Sequence, residues 1–304
     1  MVSSARNRFE GFTAVVFQHE VDHLYGILFA DCPLEQQPDP SIKPQANCRL
    51  AGCYAEKSLH CDRHFVVLCM PMGTLFLLPV PLSDSAASAS YTPFFVDTIN
   101  AVREYIVENE KTARKFLKQA GLTRPQQELV IHDYGKHAGQ RLDAGTFLAG
   151  LEAGRDVGLM SEAGAPGVAD PGAEIVAEAH RRGIRVVPLV GPSSLLLALM
   201  ASGFSGQSFA FHGYLPIAKA DRSRRIKQLE KDVANKHQTQ LFIETPFRNN
   251  QLLDELLRTC TSQTRLCIAC NLTAPDEFVR TLPVSVWKTQ KPDLHKKPTV
   301  FLLG

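Results

Sequence analysis

From residue 74 onward the chain alternates short apolar runs with longer stretches in which apolar side chains recur every three or four positions. Short runs bounded by Gly and Pro read as strands, and the amphipathic stretches as helices. The pattern predicts strands at 74–78, 104–107, 128–132, 157–160, 184–188, 209–211, 240–243 and 266–269. Between them it predicts helices at 93–102, 111–119, 144–153, 172–182, 193–201, 221–234 and 248–258. Such alternation is the signature of an α/β protein with a largely parallel sheet. Beyond 258 the rhythm changes. Segments 266–270, 278–282 and 299–303 follow one another without a convincing helix, as in an antiparallel or mixed sheet. Two α/β lobes are expected, with their boundary near 192–214.

The first 71 residues break this pattern. No apolar periodicity runs between Asp31 and Met72, and Pro33, Pro38, Pro40 and Pro44 interrupt any helix there. Five of the eight cysteines (Cys32, Cys48, Cys53, Cys61, Cys69) lie in this part. Their spacings are irregular and lack paired Cys-x-x-Cys knuckles, so a zinc site is not expected. Cys267 and Cys270 do form Cys-x-x-Cys, but on an expected strand they point to opposite faces and read as free core thiols.

Composition narrows the class. With 304 residues, 44% hydrophobic and 21% charged, the chain is globular and long enough for two cores. A net charge of +2 excludes a molecule that is basic all over. No apolar run approaches the roughly 18 residues of a membrane span, and the first residues lack a signal-peptide pattern. A soluble cytoplasmic protein is expected, with no membrane partner.

The chemistry concentrates in turns at strand ends. Ser161-Glu162-Ala163-Gly164-Ala165-Pro166-Gly167-Val168-Ala169-Asp170-Pro171-Gly172 follows an expected buried strand and precedes a helix. It therefore sits at the carboxyl edge of the sheet, where open α/β sheets bind ligands. Val190-Gly191-Pro192-Ser193-Ser194 follows the next strand and opens a helix, whose free N–H groups and positive end favour an anion. Glu244-Thr245-Pro246-Phe247-Arg248 repeats the logic in the second lobe. The chain has neither a Walker loop nor a Gly-x-Gly-x-x-Gly fingerprint.

Over residues 72–304 these motifs resemble the tetrapyrrole methylase superfamily, and within it the branch of small-subunit rRNA cytidine 2′-O-ribose methyltransferases. The twelve-residue loop is similar to that branch's Ser-Asp-Ala-Gly-Thr-Pro-Gly-Ile-Ser-Asp-Pro-Gly. Val190–Ser194 is similar to Pro-Gly-Pro-Ser-Ala. Phe211-His212-Gly213-Tyr214-Leu215-Pro216 is similar to Phe-Leu-Gly-Phe-Leu-Pro, and 242–248 to Phe-Tyr-Glu-Ser-Pro-His-Arg. The resemblance implies a two-lobed fold with S-adenosylmethionine (SAM) in the cleft between the lobes, no metal for methyl transfer, and a homodimer. Carried over by motif, the cofactor contacts are Pro81 and Leu82, then Ala163, Gly164, Ala165 and Val168. Ser193 and Ser194, Glu244 and Leu272 complete the set.

Two motifs depart from the branch pattern, both on the acceptor side. Val107-Glu108-Asn109-Glu110-Lys111 keeps only the glutamate of Ala-Glu-Asp-Thr-Arg, which makes Glu108 the expected catalytic base. Pro79-Val80-Pro81-Leu82-Ser83-Asp84 stands where the branch has Pro-Thr-Pro-Ile-Gly-Asn, and Arg114 and Lys115 replace some lost positive charge. A basic cluster of Lys219, Arg222, Arg224, Arg225, Lys227 and Lys231 follows the third motif. Beside a cleft it suits RNA phosphates or the carboxylates of a tetrapyrrole, with Arg222, Arg224 and Arg225 as expected substrate contacts.

Residues 8–31 carry an unrelated signal. Gln18-His19-Glu20-Val21-Asp22-His23 contains His-Glu-x-x-His, which on a helix places two imidazoles on one face beside a carboxylate. With its flanks this stretch resembles the C-terminal motif of peptide deformylase, implying His19 and His23 as vestigial metal ligands. The Gly-rich and Glu-Gly-Cys-Leu-Ser motifs of that family are missing. About thirty residues build no independent core. The segment reads as a fusion remnant or a reading-frame extension.

The expected organisation is thus a deformylase-like fragment at 1–31, a linker at 32–71, and methylase lobes at 72–191 and 192–304. The expected function is SAM-dependent methylation of RNA; the alternatives are a tetrapyrrole or other small-molecule acceptor and, from a different class, a metallohydrolase built on His19, Glu20 and His23.

Overall fold

The apolar runs of the first half form a single parallel sheet. Its strands are β1 (Thr74–Leu77), β2 (Glu104–Val107), β3 (Val130–Asp133), β4 (Val157–Met160) and β5 (Arg185–Pro188), in the order β3-β2-β4-β1-β5. In this computed structural model the described residues are 71–85, 90–135 and 144–304, all within the unit His60–Gly304. The segment with His19, Glu20, His23 and the five early cysteines lies outside the described residues. Among the described residues no helix is long and apolar enough to cross a membrane.

Helices cover both faces of this sheet, which explains why β2 and β4 are buried at every position; Glu104, their one charged residue, is bound by His132 at 2.9 Å and Arg155 at 3.0 Å. Tyr105 and Val107 pack with Phe95 and Ile99 of α1 (Pro93–Ala101) and with Phe116 and Leu117 of α2 (Glu110–Gln119). Ile106, between them, points to the other face with Leu75, Leu159 and Ile175 of α4 (Ala173–Arg181). Both helix starts are fixed locally. Thr92 caps α1 through the Phe95 N–H with Pro93 in the first turn, and Asn109 accepts from the N–H groups of Lys111 and Thr112.

The second half forms a mixed sheet, β6-β7-β10-β8-β9. Its strands are β6 (Phe209–Tyr214), β7 (Thr239–Ile243), β8 (Arg265–Cys270), β9 (Phe278–Pro283) and β10 (Thr299–Leu303). Only β6 and β7 pair in parallel, and the remaining ladders are antiparallel. One face carries Phe242, Ile268 and Phe301 under α6 (Lys219–Lys236) and α7 (Asn249–Thr259). The other carries Leu241, Cys267 and Leu302 under α5 (Ser194–Ser202). Cys267 and Cys270 fall in different clusters, on opposite faces of β8, and burial pushes both thiols up.

Three local expectations change. The helix at 144–153 becomes a 3-10 segment (Ala144–Leu148) and one α turn, α3 (Ala149–Glu152), because Gly145, Thr146 and Gly150 are poor helix formers. The strand at 128–132 starts later, after a 3-10 turn at Gln126–Glu128. Strand β6 runs on to Tyr214 through a register shift between Phe211 and Tyr214. A short α8 (Val284–Trp287) follows β9, and its indole N–H donates to the Leu266 carbonyl at 2.8 Å.

Candidate functional site

The order of the first sheet locates the site. From β1 the chain crosses to β2 on one side, and from β4 it crosses to β5 on the other, so β1 and β4 flank the topological switch point. Ligands of open α/β sheets bind outside the carboxyl ends of such strands. Here those ends carry the loop 78–85 and the loop 161–172.

Backbone strain clusters at this edge. In the second loop Gly164, Gly167, Gly172 and the non-glycine Ala169 (φ 65°) are all left-handed. A side chain at Gly164 would bear a φ of +76° and place its Cβ 3.4 Å from Leu82 Cδ2 and 3.9 Å from the Pro192 carbonyl oxygen. The loop after β5 closes in equally tightly, since a Cβ at Gly191 would meet Pro79 Cβ at 2.3 Å. Across the cleft, Asn271 (φ 50°) and Thr273 (φ 70°) flank Leu272. For a β-branched residue such a φ is an outlier, held here by the Thr273 N–H to Glu277 Oε2 at 2.7 Å. Ser83 Oγ donates to the Thr273 carbonyl at 3.2 Å and ties the two lobes together.

These segments enclose a cavity of about 490 Å³, within the size range of small-molecule sites. Nine of the ten expected cofactor residues line it. Leu82, Ala163, Gly164, Ala165 and Val168 form one side, and Ser193, Ser194, Glu244 and Leu272 the other. Pro81 is the exception: it faces a neighbouring cavity of about 320 Å³, because the chain turns between Pro81 and Leu82. Sequence reasoning missed Ser83, Asp170, Tyr214 and Asp276 in the larger cavity. Asp170 was legible as a carboxylate inside the loop motif; Asp276 had no signal.

Hydrogen bonding assigns the polar groups. Ser193 occupies the N-cap of α5 without a side-chain capping bond, which leaves its hydroxyl for a ligand. Glu244 is buried, and its Oε1 accepts from Arg248 Nη2 at 2.6 Å, Arg248 Nε at 3.1 Å and the Thr245 N–H at 2.7 Å. Oε2 takes none of these bonds. Asp170 stands above its ordinary pKa, chiefly through burial and further through Glu162, against a lowering hydrogen bond from Ser161.

Glu108, the expected base, lines neither cavity. Its Oε2 accepts the Glu162 N–H at 3.2 Å and holds the loop 161–172 in place. Burial raises its pKa most, the Glu162 N–H opposes this, and the Asp170 and Glu162 carboxylates add to it. The structure thus places Glu108 against the loop 161–172 and in the lining of neither cavity. The same field, after burial, raises the Tyr134 phenol, whose hydroxyl points at the Pro171 carbonyl at 3.4 Å.

The basic cluster divides. Arg222 is buried, and its Nε and Nη2 donate to Glu255 Oε2 at 3.0 and 2.7 Å. An arginine in that setting cannot reach a surface ligand, so the expectation of substrate contact is corrected for Arg222. The amphipathic register of α6 turns this position inward. Arg224 is exposed and pairs with Asp221 one turn away. Arg225 is half-buried and donates to His212 Nδ1 at 2.9 Å. Lys219, Lys227 and Lys231 are exposed. Arg114 is bound to Glu110 and to the Gln126 carbonyl, while exposed Lys115 pairs with Asp84 at 2.7 Å.

The residues suit SAM. A cradle at Gly164 that a Cβ would fill, apolar walls from Leu82, Val168 and Leu272, free hydroxyls at a helix start and carboxylates for a cation match its purine, carboxylate, ammonium and sulfonium.

Comparison with known proteins agrees with this geometry. The chain is 31% identical over 202 residues to "Ribosomal RNA small subunit methyltransferase I" of Synechocystis sp., covering 66% of this chain and 68% of that protein. It is 33% identical over 207 residues to the protein of the same name from Mesorhizobium japonicum, covering 68% and 66%. The crystal structure of the methyltransferase CobJ superposes with a TM-score of 0.51 at 17% identity, covering 77% of this chain and 93% of that one, a likeness of fold. Residues 3–38 match the Polypeptide deformylase family model. Residues 96–286, which include most of the residues lining the cavity, match the model of the Tetrapyrrole (Corrin/Porphyrin) Methylases, and the chain belongs to that family.

Proposed function

We propose that this protein transfers the methyl group of SAM to a ribose hydroxyl of small-subunit ribosomal RNA. The carrying observation is a single cavity at the switch point, walled by the loops after β1, β4 and β5 and by the Glu244 and Leu272 turns, in a relative of proteins named for rRNA methylation. Bound there, SAM supplies a methyl group on a positively charged sulfur with a good leaving group, so positioning supplies most of the rate. Asp170 and Asp276 offset positive charge, and Ser193 and Ser194 at the start of α5 receive a carboxylate. Leu82, Val168 and Leu272 exclude water. Asp170, a carboxylate in the lining of this cavity whose pKa burial raises, takes the hydroxyl proton. No step needs a metal, and chelation is expected to leave turnover unchanged.

The exposed cations of α6, namely Lys219, Arg224, Lys227 and Lys231, with the half-buried Arg225, form the face for RNA phosphates. On α5, Leu196 and Met200 stand four residues apart, 53% and 79% exposed, and Val190, in the loop before α5, is 81% exposed. This apolar face fits a second copy of the chain, giving a homodimer in the cytoplasm. We take 72–191 and 192–304 as its two methylase domains, with Asp170→Asn as the variant that probes the base.

The family description favours a tetrapyrrole as the other acceptor class, whose carboxylates the same cations would suit. Radiolabelled SAM offered with small-subunit RNA or with a tetrapyrrole separates the two. Label in RNA that also makes one linkage resistant to alkali, as a blocked 2′-hydroxyl must, supports the proposal. Label in the tetrapyrrole alone overturns it.

A further inference from the structure

Beside the cofactor cavity lies the second one, of about 320 Å³, walled by the loop after β1, by α2 and by the end of β4. The two share Leu82, Ser83 and Ala163. A group seated in one therefore lies beside a group seated in the other. The walls of the second cavity are apolar, from Val80, Ala113, Phe116 and Met160. The Phe116 ring is held by Tyr91 and Phe95, at centroid separations of 6.1 and 6.0 Å. Its rim is polar, with exposed Thr112, Gln119 and Glu162, and the buried Ser161 lies in its wall. At the mouth stands Lys115, paired with Asp84 at 2.7 Å; both side chains are exposed, and such pairs are weak enough to exchange partners.

We propose that this cavity receives the base of the acceptor nucleotide, an unpaired base of single-stranded RNA, with its ribose at the shared wall and its phosphate at Lys115. The inference rests on RNA being the acceptor. A flat ring with one hydrogen-bonding edge matches apolar walls and a mixed polar rim, which is how proteins read splayed RNA bases. Withdrawing a base from a duplex costs a few kcal/mol, so an unpaired position is selected.

Thr112 lines this cavity but not the cofactor cavity, on the exposed first turn of α2. Thr112→Trp would cover the mouth. In the full chain it is expected to bind SAM as the unmodified protein does and to lose about tenfold or more in kcat/KM for RNA. Saturation-transfer NMR with the four ribonucleoside 5′-monophosphates should show base protons in contact with the unmodified protein and out of contact in Thr112→Trp. Gln119→Ala, at an exposed position, should change which monophosphate gives the strongest signal, and it carries the test if the tryptophan variant does not fold. Full RNA methylation by a folded Thr112→Trp, or base signals that neither variant alters, would overturn the proposal. If the unmodified protein methylates no RNA, the acceptor reading fails separately, and the NMR comparison still decides the cavity: absence of base signals sinks it.

Discussion

Val80 and Gly164 exchange two backbone hydrogen bonds, 2.8 Å from the Val80 N–H and 2.7 Å from the Gly164 N–H, as an isolated antiparallel bridge. Parallel neighbours such as β1 and β4 normally diverge beyond their ends. Here the bridge joins their loops, with Val80 lining the smaller cavity and Gly164 the larger one. Because both Gly164 backbone groups are spent on Val80, the glycine meets a ligand through its bare Cα.

Gly164→Val therefore acts twice. A β-branched side chain at φ +76° is strained, which costs of order 1–3 kcal/mol. Its branches also enter the space beside Leu82 and the Pro192 carbonyl. Calorimetry should find SAM binding lost, and thermal unfolding should find a folded but less stable protein. Normal SAM affinity would show that the cofactor lies elsewhere.

Arg222→Ala and Arg224→Ala should part company. Removing Arg222 strands buried Glu255 and should cost about 3–5 kcal/mol in chemical denaturation. Removing exposed Arg224 should change stability by less than about 0.5 kcal/mol. It should instead lower the salt dependence of RNA binding by about one phosphate's worth. Burial works against the Glu255 charge, but Ser223, Arg222 and Arg258 outweigh it and hold its pKa low. The pair's stabilisation is thus present at neutral pH and lost as pH falls through that lowered value.

For Glu108 the sign reverses. Its folded-state pKa is raised, first by burial, so the folded protein holds the proton more tightly than the unfolded chain. Its contribution favours the fold in acid and is lost as pH rises through the raised value. Glu108→Gln keeps an acceptor for the Glu162 N–H and removes the charge. Its melting temperature should exceed that of the unmodified protein at pH 7, with the gap closing below the ordinary glutamate range. Methyl transfer should fall mainly through KM if Glu108 positions the loop; loss of the acid limb of the pH–rate profile would reinstate it as the base.

His212 lies between Gln240 Oε1 at 2.6 Å and Arg225 at 2.9 Å. Arg225 donates to Nδ1, so Nε2 carries the proton, as nitrogen-15 NMR should find. Burial lowers its pKa most and Arg225 adds to this, against the bond to Gln240. Its stabilisation is complete above 6.5 and lost below it. His212→Gln should flatten the decline in melting temperature between neutral pH and about pH 5.

The runs at 104–107, apolar after Glu104, and at 157–160 mark β2 and β4 to the residue, since a strand buried on both faces needs a predominantly apolar stretch. The glycines and prolines of 161–172 announced a ligand loop because their backbone angles are local properties. These features depend on residues a few positions apart, and the sequence by itself determined them. Arg222 could not be read so. Its partner Glu255 is 33 residues away on another helix, and only the packing of α6 on α7 makes the cation internal. Glu108 looked like a base at a strand end until Glu162, 54 residues on, claimed its carboxylate. The second cavity exists only because the loop after β1, the end of β4 and α2 converge around Leu82 and Ala163. Local conformation follows from near neighbours along the chain, whereas burial, pairing and enclosed space follow from which distant segments meet, and that was decided by the tertiary structure.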